Sequence, residues 1–310
     1  MMNPTQKVRK ILSYYESDNP GTKTNIARIL MAGKLGGTGR MVILPVDQGF
    51  EHGPIASFAP NPEAYDPHYH YKLAIDAGLS AYAAPLGMLE AGADTFAGAI
   101  PLILKVNSSN LLLNKNLAPD QSITASVKDA LRLGCAAVGF TIYPGSDHSL
   151  HMMEEIKEMS AEAKSYGLVT VIWSYARGGM VSKDGETAHD VIAYAAHIAA
   201  LLGAHIIKVK PSIDAIELDN AKKAFEKNPV SIKELKDRIA HIVKTTFNGR
   251  RLMVFSGGAT KSTEDVYNEV RAIRDGGGNG SIIGRNTFQR PRPEALKLLS
   301  DIIEIYKGRL

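Results

Sequence analysis

Eight short apolar runs alternate with amphipathic, helix-length segments along this 310-residue chain. The alternation predicts an α/β fold: a closed (β/α)8 TIM barrel with an N-terminal helical extension. Three observations carry the prediction. The runs are rich in Val, Ile and Leu without clean polar alternation, as strands buried on both faces are. Several intervening segments end in glycine just before the next run, at Gly78, Gly134, Gly167 and Gly203, where glycine supplies the left-handed residue that terminates a helix. The main rival, a doubly wound dinucleotide-binding sheet, is weakened because no run is followed by a G-x-G-x-x-G opening a helix.

In chain order, residues 1–38 read as the extension, with two short helices, and residues 39–310 as the barrel domain. The expected strands are MVILPV (41–46), SAYAAPL (80–86), PLILKV (101–106) and AAVGFTI (136–142). They continue with LVTVIW (168–173), AHIIKV (204–209), LMVFSG (252–257) and SIIG (281–284). Between them TASVKDALRLG, MMEEIKEMSAEAKSYG, AHDVIAYAAHIAALLG and SIKELKDRIAHIVKTTF read as helices. A long connection, 211–230, follows the sixth run, and the charged LDNAKKAFEKN within it reads as helical.

Composition narrows the function. A chain 45% hydrophobic and 22% charged is an ordinary globular protein. Its net charge of +4 is scattered rather than gathered in a basic stripe, so no nucleic-acid partner is expected. Basic residues beside glycines suit a small anionic ligand. Cys135, the single cysteine, sits in an apolar run and reads as a buried structural thiol. No run approaches the ~18–20 apolar residues of a membrane span. The charged first twenty residues lack a secretory signal's apolar region. The expectation is a cytoplasmic protein without membrane association.

In such a barrel the active site forms where the strands end. The first run leads to Asp47, the third to Lys105 and Asn107, the fourth to Tyr143. The fifth gives Trp173, Tyr175 and Arg177, and the sixth Lys208 and Lys210. The last two give SGG (256–258) and Gly284 with Arg285. Glycines there let backbone N–H groups approach an anion, so SGGATKS and IGRNTF read as a phosphate site. Lysines at a barrel mouth suit imine chemistry: a neutral amine attacks a ketone, and desolvation or a nearby cation must lower its pKa. Spacing alone leaves Lys105, Lys208 and Lys210 tied. His68, His70, His148 and His151 lack metal-site spacing, and no metal is expected.

ILPVDQGFEHGP, PLILKVN, AVGFTIYPGS, VIWSYARGG, IIKVK, FSGG and IGRNTFQR, in that order, resemble the archaeal-type class I fructose-1,6-bisphosphate aldolases, also found in bacteria. The resemblance covers about residues 41–290. It implies a metal-independent, cofactor-free Schiff-base enzyme that cleaves fructose 1,6-bisphosphate to dihydroxyacetone phosphate and glyceraldehyde 3-phosphate in glycolysis or gluconeogenesis. By the same resemblance Lys208 is the Schiff-base lysine, Tyr175 the proton-transferring tyrosine, and Trp173 shapes the site. Asp47 handles substrate hydroxyls and protons. Arg177 lies near one phosphate, and Ser256, Gly257, Gly284 and Arg285 hold the other. Lys105 and Lys210 stand as supporting candidates, and the family implies a homo-oligomer. Ala176 departs from the proline expected in many archaeal members, and the connection after Lys210 is longer than in compact ones. The alternatives are a related Schiff-base synthase or thiolase acting on another phosphorylated ketone, and a non-catalytic sugar-phosphate-binding barrel. The W-S-Y-x-R motif favours the aldolase.

Overall fold

The computed structural model describes residues 3–114, 116–256 and 262–310. Eight parallel strands close into a barrel, each paired with its neighbours in sequence. They are β1 (Met41–Pro45), β2 (Ala81–Pro85), β3 (Leu102–Lys105), β4 (Ala137–Ile142), β5 (Val169–Ser174), β6 (Ile206–Val209), β7 (Leu252–Phe255) and β8 (Gly280–Ile282). Every barrel-strand residue outside the rim is buried, which explains the unbroken apolar runs. The last strand starts at Gly280 and stops at Ile282, so Gly284 falls beyond it as the N-cap of the short helix Arg285–Phe288.

Strand parity sorts the barrel-strand residues into two core clusters. Val42, Leu44, Tyr82, Leu104, Phe140, Ile172, Ile207 and Phe255 face outward into the layer shared with the helices. Met41, Ile43, Ala83, Ile103, Val171, Trp173, Ile206 and Val254 face inward. Two-residue periodicity makes this separation unavoidable once the barrel closes.

The helices follow local signals. Pro67–Ala77 starts with Asp66 accepting from the His68 N–H, has proline at its first position, and ends on Gly78 in the left-handed region. Gly134, Gly167 and Gly203 likewise have positive φ. The extension forms the helices Gln6–Leu12 and Pro20–Met31. Val8, Ile11, Ile26, Ile29 and Leu30 from these helices, and Tyr15 between them, join the inward-facing barrel cluster. Tyr15 donates its hydroxyl to the His205 carbonyl at 2.7 Å, just ahead of β6. The extension therefore closes the barrel end where the strands begin. The long connection after β6 carries the expected helix, Asp219–Lys227.

The sequence pattern did not reveal a two-stranded hairpin, Asn107–Ser108 against Ser122–Ile123, in the connection after β3. Two-residue strands are too short to leave a periodicity. Cys135 is buried, and burial pushes its thiol up to about 12. No helix among the described residues is long and apolar enough to cross a membrane.

Candidate active site

The inward parity that packs the barrel interior continues to its upper rim and there changes from apolar to polar. On β6, Ile206 points into the core, and Lys208 and Lys210 follow at two-residue steps. On β5, Trp173 precedes Tyr175 and Arg177 in the same way. These chains meet at a cavity of about 200 Å³. Asp47, Tyr175, Arg177, Lys208, Lys210, Ser256, Gly284 and Arg285 all line it.

Lys208 is 8% exposed, in register with Trp173 on β5 and Val254 on β7. Burial pulls its pKa from 10.5 down to about 8. Arg285 and Arg177 push the same way, and Asp47 and Glu51 oppose them. The Tyr175 ring centroid lies 5.0 Å from Lys208 Nζ and 5.9 Å from Lys210 Nζ. Burial, then Glu51 and Asp47, drive the Tyr175 phenol well above its usual value, while a hydrogen bond with Ser256 opposes this. Lys210 is less enclosed; burial and then Arg177 lower its pKa.

Lys105 is placed differently. It is 1% exposed, and its ammonium donates to the backbone and side-chain oxygens of Asn107. Asn107 is fixed in turn across β4, donating to the Thr141 carbonyl at 2.8 Å and accepting from the Thr141 N–H at 2.7 Å. Lys105 does not line the cavity. It contributes positive charge near Asp47 and Glu51. Trp173 also lies outside the lining, 2% exposed within the apolar interior. Its indole occupies space left by Gly139 on β4, where an added Cβ would lie 2.0 Å from Cζ3. Gly257 and the rest of 257–261 lie outside the described residues.

Sequence reasoning missed Gln48, Glu51 and His52, which line the cavity from the short helix Gln48–His52. The available signal was spacing: Glu51 follows Asp47 by four residues, one helical turn, which places both carboxylates on one face. Burial and the Asp47 charge raise the Glu51 pKa, against Lys105, Lys208 and Arg177. Burial and then Arg285 lower that of His52.

The histidines weighed as metal ligands lie outside this cavity. His70 is fully buried, with Nε2 2.8 Å from the Ala64 carbonyl. His151 pairs with Glu155 on its own helix. Among the described residues no three His, Cys, Asp or Glu side chains are grouped to hold a metal ion.

A buried, partly neutral lysine, a protonated phenol beside it and cationic groups around the rim can bind a phosphorylated carbonyl compound and activate it covalently. Known proteins resemble this chain over most of its length. The chain is 37% identical to the fructose-bisphosphate aldolase class 1 of Thermoproteus tenax, over 87% of this chain and 90% of that protein. It is 36% identical to the probable fructose-bisphosphate aldolase class 1 of Chlamydia trachomatis serovar D, over 94% and 87%. Among solved structures, an archaeal fructose 1,6-bisphosphate aldolase superposes with a TM-score of 0.74 at 35% identity, covering 87% of this chain and 94% of that one. Another archaeal fructose-1,6-bisphosphate aldolase, with its catalytic lysine bound to the carbinolamine intermediate, gives the same score and identity, covering 87% and 95%. Residues 41–290 match the model of the DeoC/LacD family aldolases, a span from the first residue of β1 to just past the Arg285–Phe288 helix. With the barrel, the rim lysine and these relatives in agreement, the chain belongs to the DeoC/LacD aldolase family.

Proposed function

We propose that this chain is a class I fructose-1,6-bisphosphate aldolase working through an imine on Lys208. The observation that carries the reading is Lys208 itself, buried at the cavity, held near pKa 8, with Tyr175 against it. Lys105 is engaged by Asn107, and Lys210 is less enclosed, which supports Lys208 as the nucleophile.

In the proposed reaction the neutral Nζ adds to the C2 carbonyl, giving a carbinolamine. Tyr175, kept protonated by its surroundings, hands a proton to the departing hydroxyl, and water leaves to form the iminium. A base, Asp47 through water or the Tyr175 phenolate just formed, takes the proton from the C4 hydroxyl. The C3–C4 bond breaks, its electron pair flows into the iminium, and glyceraldehyde 3-phosphate departs from an enamine. Protonation at C3 and hydrolysis release dihydroxyacetone phosphate and restore the amine. Burial and then the Asp47 charge raise the Glu51 pKa, which favours its acid form as a proton donor at the cavity. General acid–base assistance of this kind contributes on the order of 10²–10⁴ in rate.

The two phosphates are assigned to two groups of cavity residues. C1 is one bond from the attacked carbon, and its phosphate is assigned to Ser256, Gly284 and Arg285, which line the cavity with Lys208, with Gly257 a further candidate. C6 lies four carbons beyond C2, and its phosphate is assigned to Arg177, with Lys210 nearby. Trp173 shapes the apolar floor, and Lys105 supports the local charge balance. The reading includes metal independence, a cytoplasmic location and a homo-oligomer, whose mass light scattering would give.

Borohydride reduction with dihydroxyacetone phosphate, followed by peptide mass spectrometry, should label Lys208. Label on Lys105 or Lys210 overturns the assignment. Turnover of fructose 1,6-bisphosphate should survive EDTA; loss to EDTA with no trapping would mean a metal-dependent aldolase instead.

A further inference from the structure

We infer that Gln121 and Tyr143 form a positioning relay that sets the aim of Arg177 and thereby favours doubly over singly phosphorylated ketoses. The inference rests on the proposed reading that Arg177 holds the phosphate remote from Lys208. Three successive mouth connections, those after β3, β4 and β5, are tied together here. Gln121, 4% exposed at the base of the hairpin, donates from Nε2 to the Tyr143 hydroxyl at 2.7 Å. Tyr143, 3% exposed, presents its ring 4.8 Å from Arg177 Cζ, closer than the 5.7 Å to Tyr175.

The backbones are fastened as well. The Ser146 hydroxyl donates to the Pro119 carbonyl, and the Arg177 N–H donates to the Pro144 carbonyl at 3.1 Å. Gly145, at φ 101°, lies so close that an added Cβ would be 3.1 Å from the Gly178 carbonyl oxygen.

A guanidinium stacked on an aromatic face keeps its outward N–H fork free for a phosphate. Its rotamer is chosen before the ligand arrives, so less ordering is left to offset on binding. The ring does this only if it stays put, and the hydrogen bond from buried Gln121 holds its far end. Tyr143 and Gln121 are therefore positioning residues that act through Arg177.

The test compares two ligands. Fructose 1,6-bisphosphate uses both phosphate sites, and dihydroxyacetone phosphate, trapped by borohydride, uses only the one beside Lys208. Arg177→Ala is the reference and should raise KM for the bisphosphate. Tyr143→Leu should raise that KM about five- to thirty-fold, the range of a partly to fully desolvated cation–π contact. Half-saturation of dihydroxyacetone phosphate trapping should move less than about twofold, since nothing at the Lys208 end has been touched. Tyr143→Phe keeps the ring and loses the hydrogen bond, so it should show a smaller rise, matched by Gln121→Met. Because both break one bond, the double variant should be no worse than either single one.

If Arg177→Ala leaves KM unchanged, the phosphate assignment fails and the relay with it. If Arg177→Ala acts and Tyr143→Leu does not, the relay alone fails. A loss of dihydroxyacetone phosphate trapping in proportion to the KM rise would mean general damage at the mouth and overturns the relay. Additive effects of Tyr143→Phe and Gln121→Met would overturn the Gln121 link.

Discussion

Imine formation should report the titration of Lys208 directly. With its pKa at about 8 rather than 10.5, about a tenth of the lysine is neutral at pH 7, against roughly 0.03% for an ordinary lysine, a gain on the order of 300-fold in nucleophile. At saturating dihydroxyacetone phosphate the imine-forming rate, followed by rapid quench into cyanoborohydride, should rise about five-fold from pH 7 to 8 and only about two-fold beyond. A lysine at its usual value would instead give close to tenfold per pH unit up to about pH 10. The neighbours make the prediction two-sided. Asp47 raises the Lys208 pKa and Arg285 lowers it, so Asp47→Asn should move the midpoint down and Arg285→Met should move it up. A midpoint above about 9.5 in the parent protein, or both variants shifting in one direction, would refute the electrostatic account of this lysine.

Lys208→Met should abolish trapping yet stabilise the fold by up to about 3 kcal/mol below pH 8, because a base whose folded pKa is depressed costs most while both states are protonated. That gain should shrink as pH climbs from about 8 towards 10.5, read as the difference in urea midpoints. Gly139→Ala should cost about 1–3 kcal/mol or more in the same assay, since an ordinary contact of about 3.4 Å to an indole carbon now 2.0 Å from the new Cβ requires a shift of about 1.4 Å (3.4 − 2.0) by a side chain 2% exposed. Burial holds His70 at about 4, so its contribution to stability, about 3 kcal/mol, is complete above pH 6.5 and lost as pH falls towards 4. His70→Gln should flatten that limb of the acid-unfolding curve; an unchanged slope would show that His70 is not its source.

Much of the barrel was legible because burial on both faces writes itself into composition: the β4 segment 137–142 has no charged residue and needs none. Helix ends were legible where a backbone requirement has one cheap solution, as with glycine at positive φ after the helix ending at Ala77. The hairpin was not, because two paired residues on each side rest on backbone hydrogen bonds that any side chain permits. The rim lysines were visible as candidates but tied. Separating them depends on what each ammonium meets: Asn107 oxygens for Lys105, the cavity for Lys208, a more open rim for Lys210. Glu51 was not singled out because only Asp47 was read from the first run, and Tyr143 was placed at the rim while its contact with Arg177 depends on packing that spacing does not show.

The inward parity of the strands explains why the site costs so little architecture. At the lower end, two-residue steps supply Ile206, Leu252 and Val254, and the extension's Ile26, Ile29 and Leu30 close over them. One such step above Ile206 and Val254, the same geometry delivers Lys208 and Ser256 to the cavity. The penalty for burying an ammonium there is carried by a strand whose other residues, Ile206, Ile207 and Val209, are all buried in the core. On the proposed reading, the reactive amine thus sits at the end of a barrel strand, and the connections that can vary in length, those bearing Arg177, Tyr143 and Gln121, recognise what lies farther along the substrate.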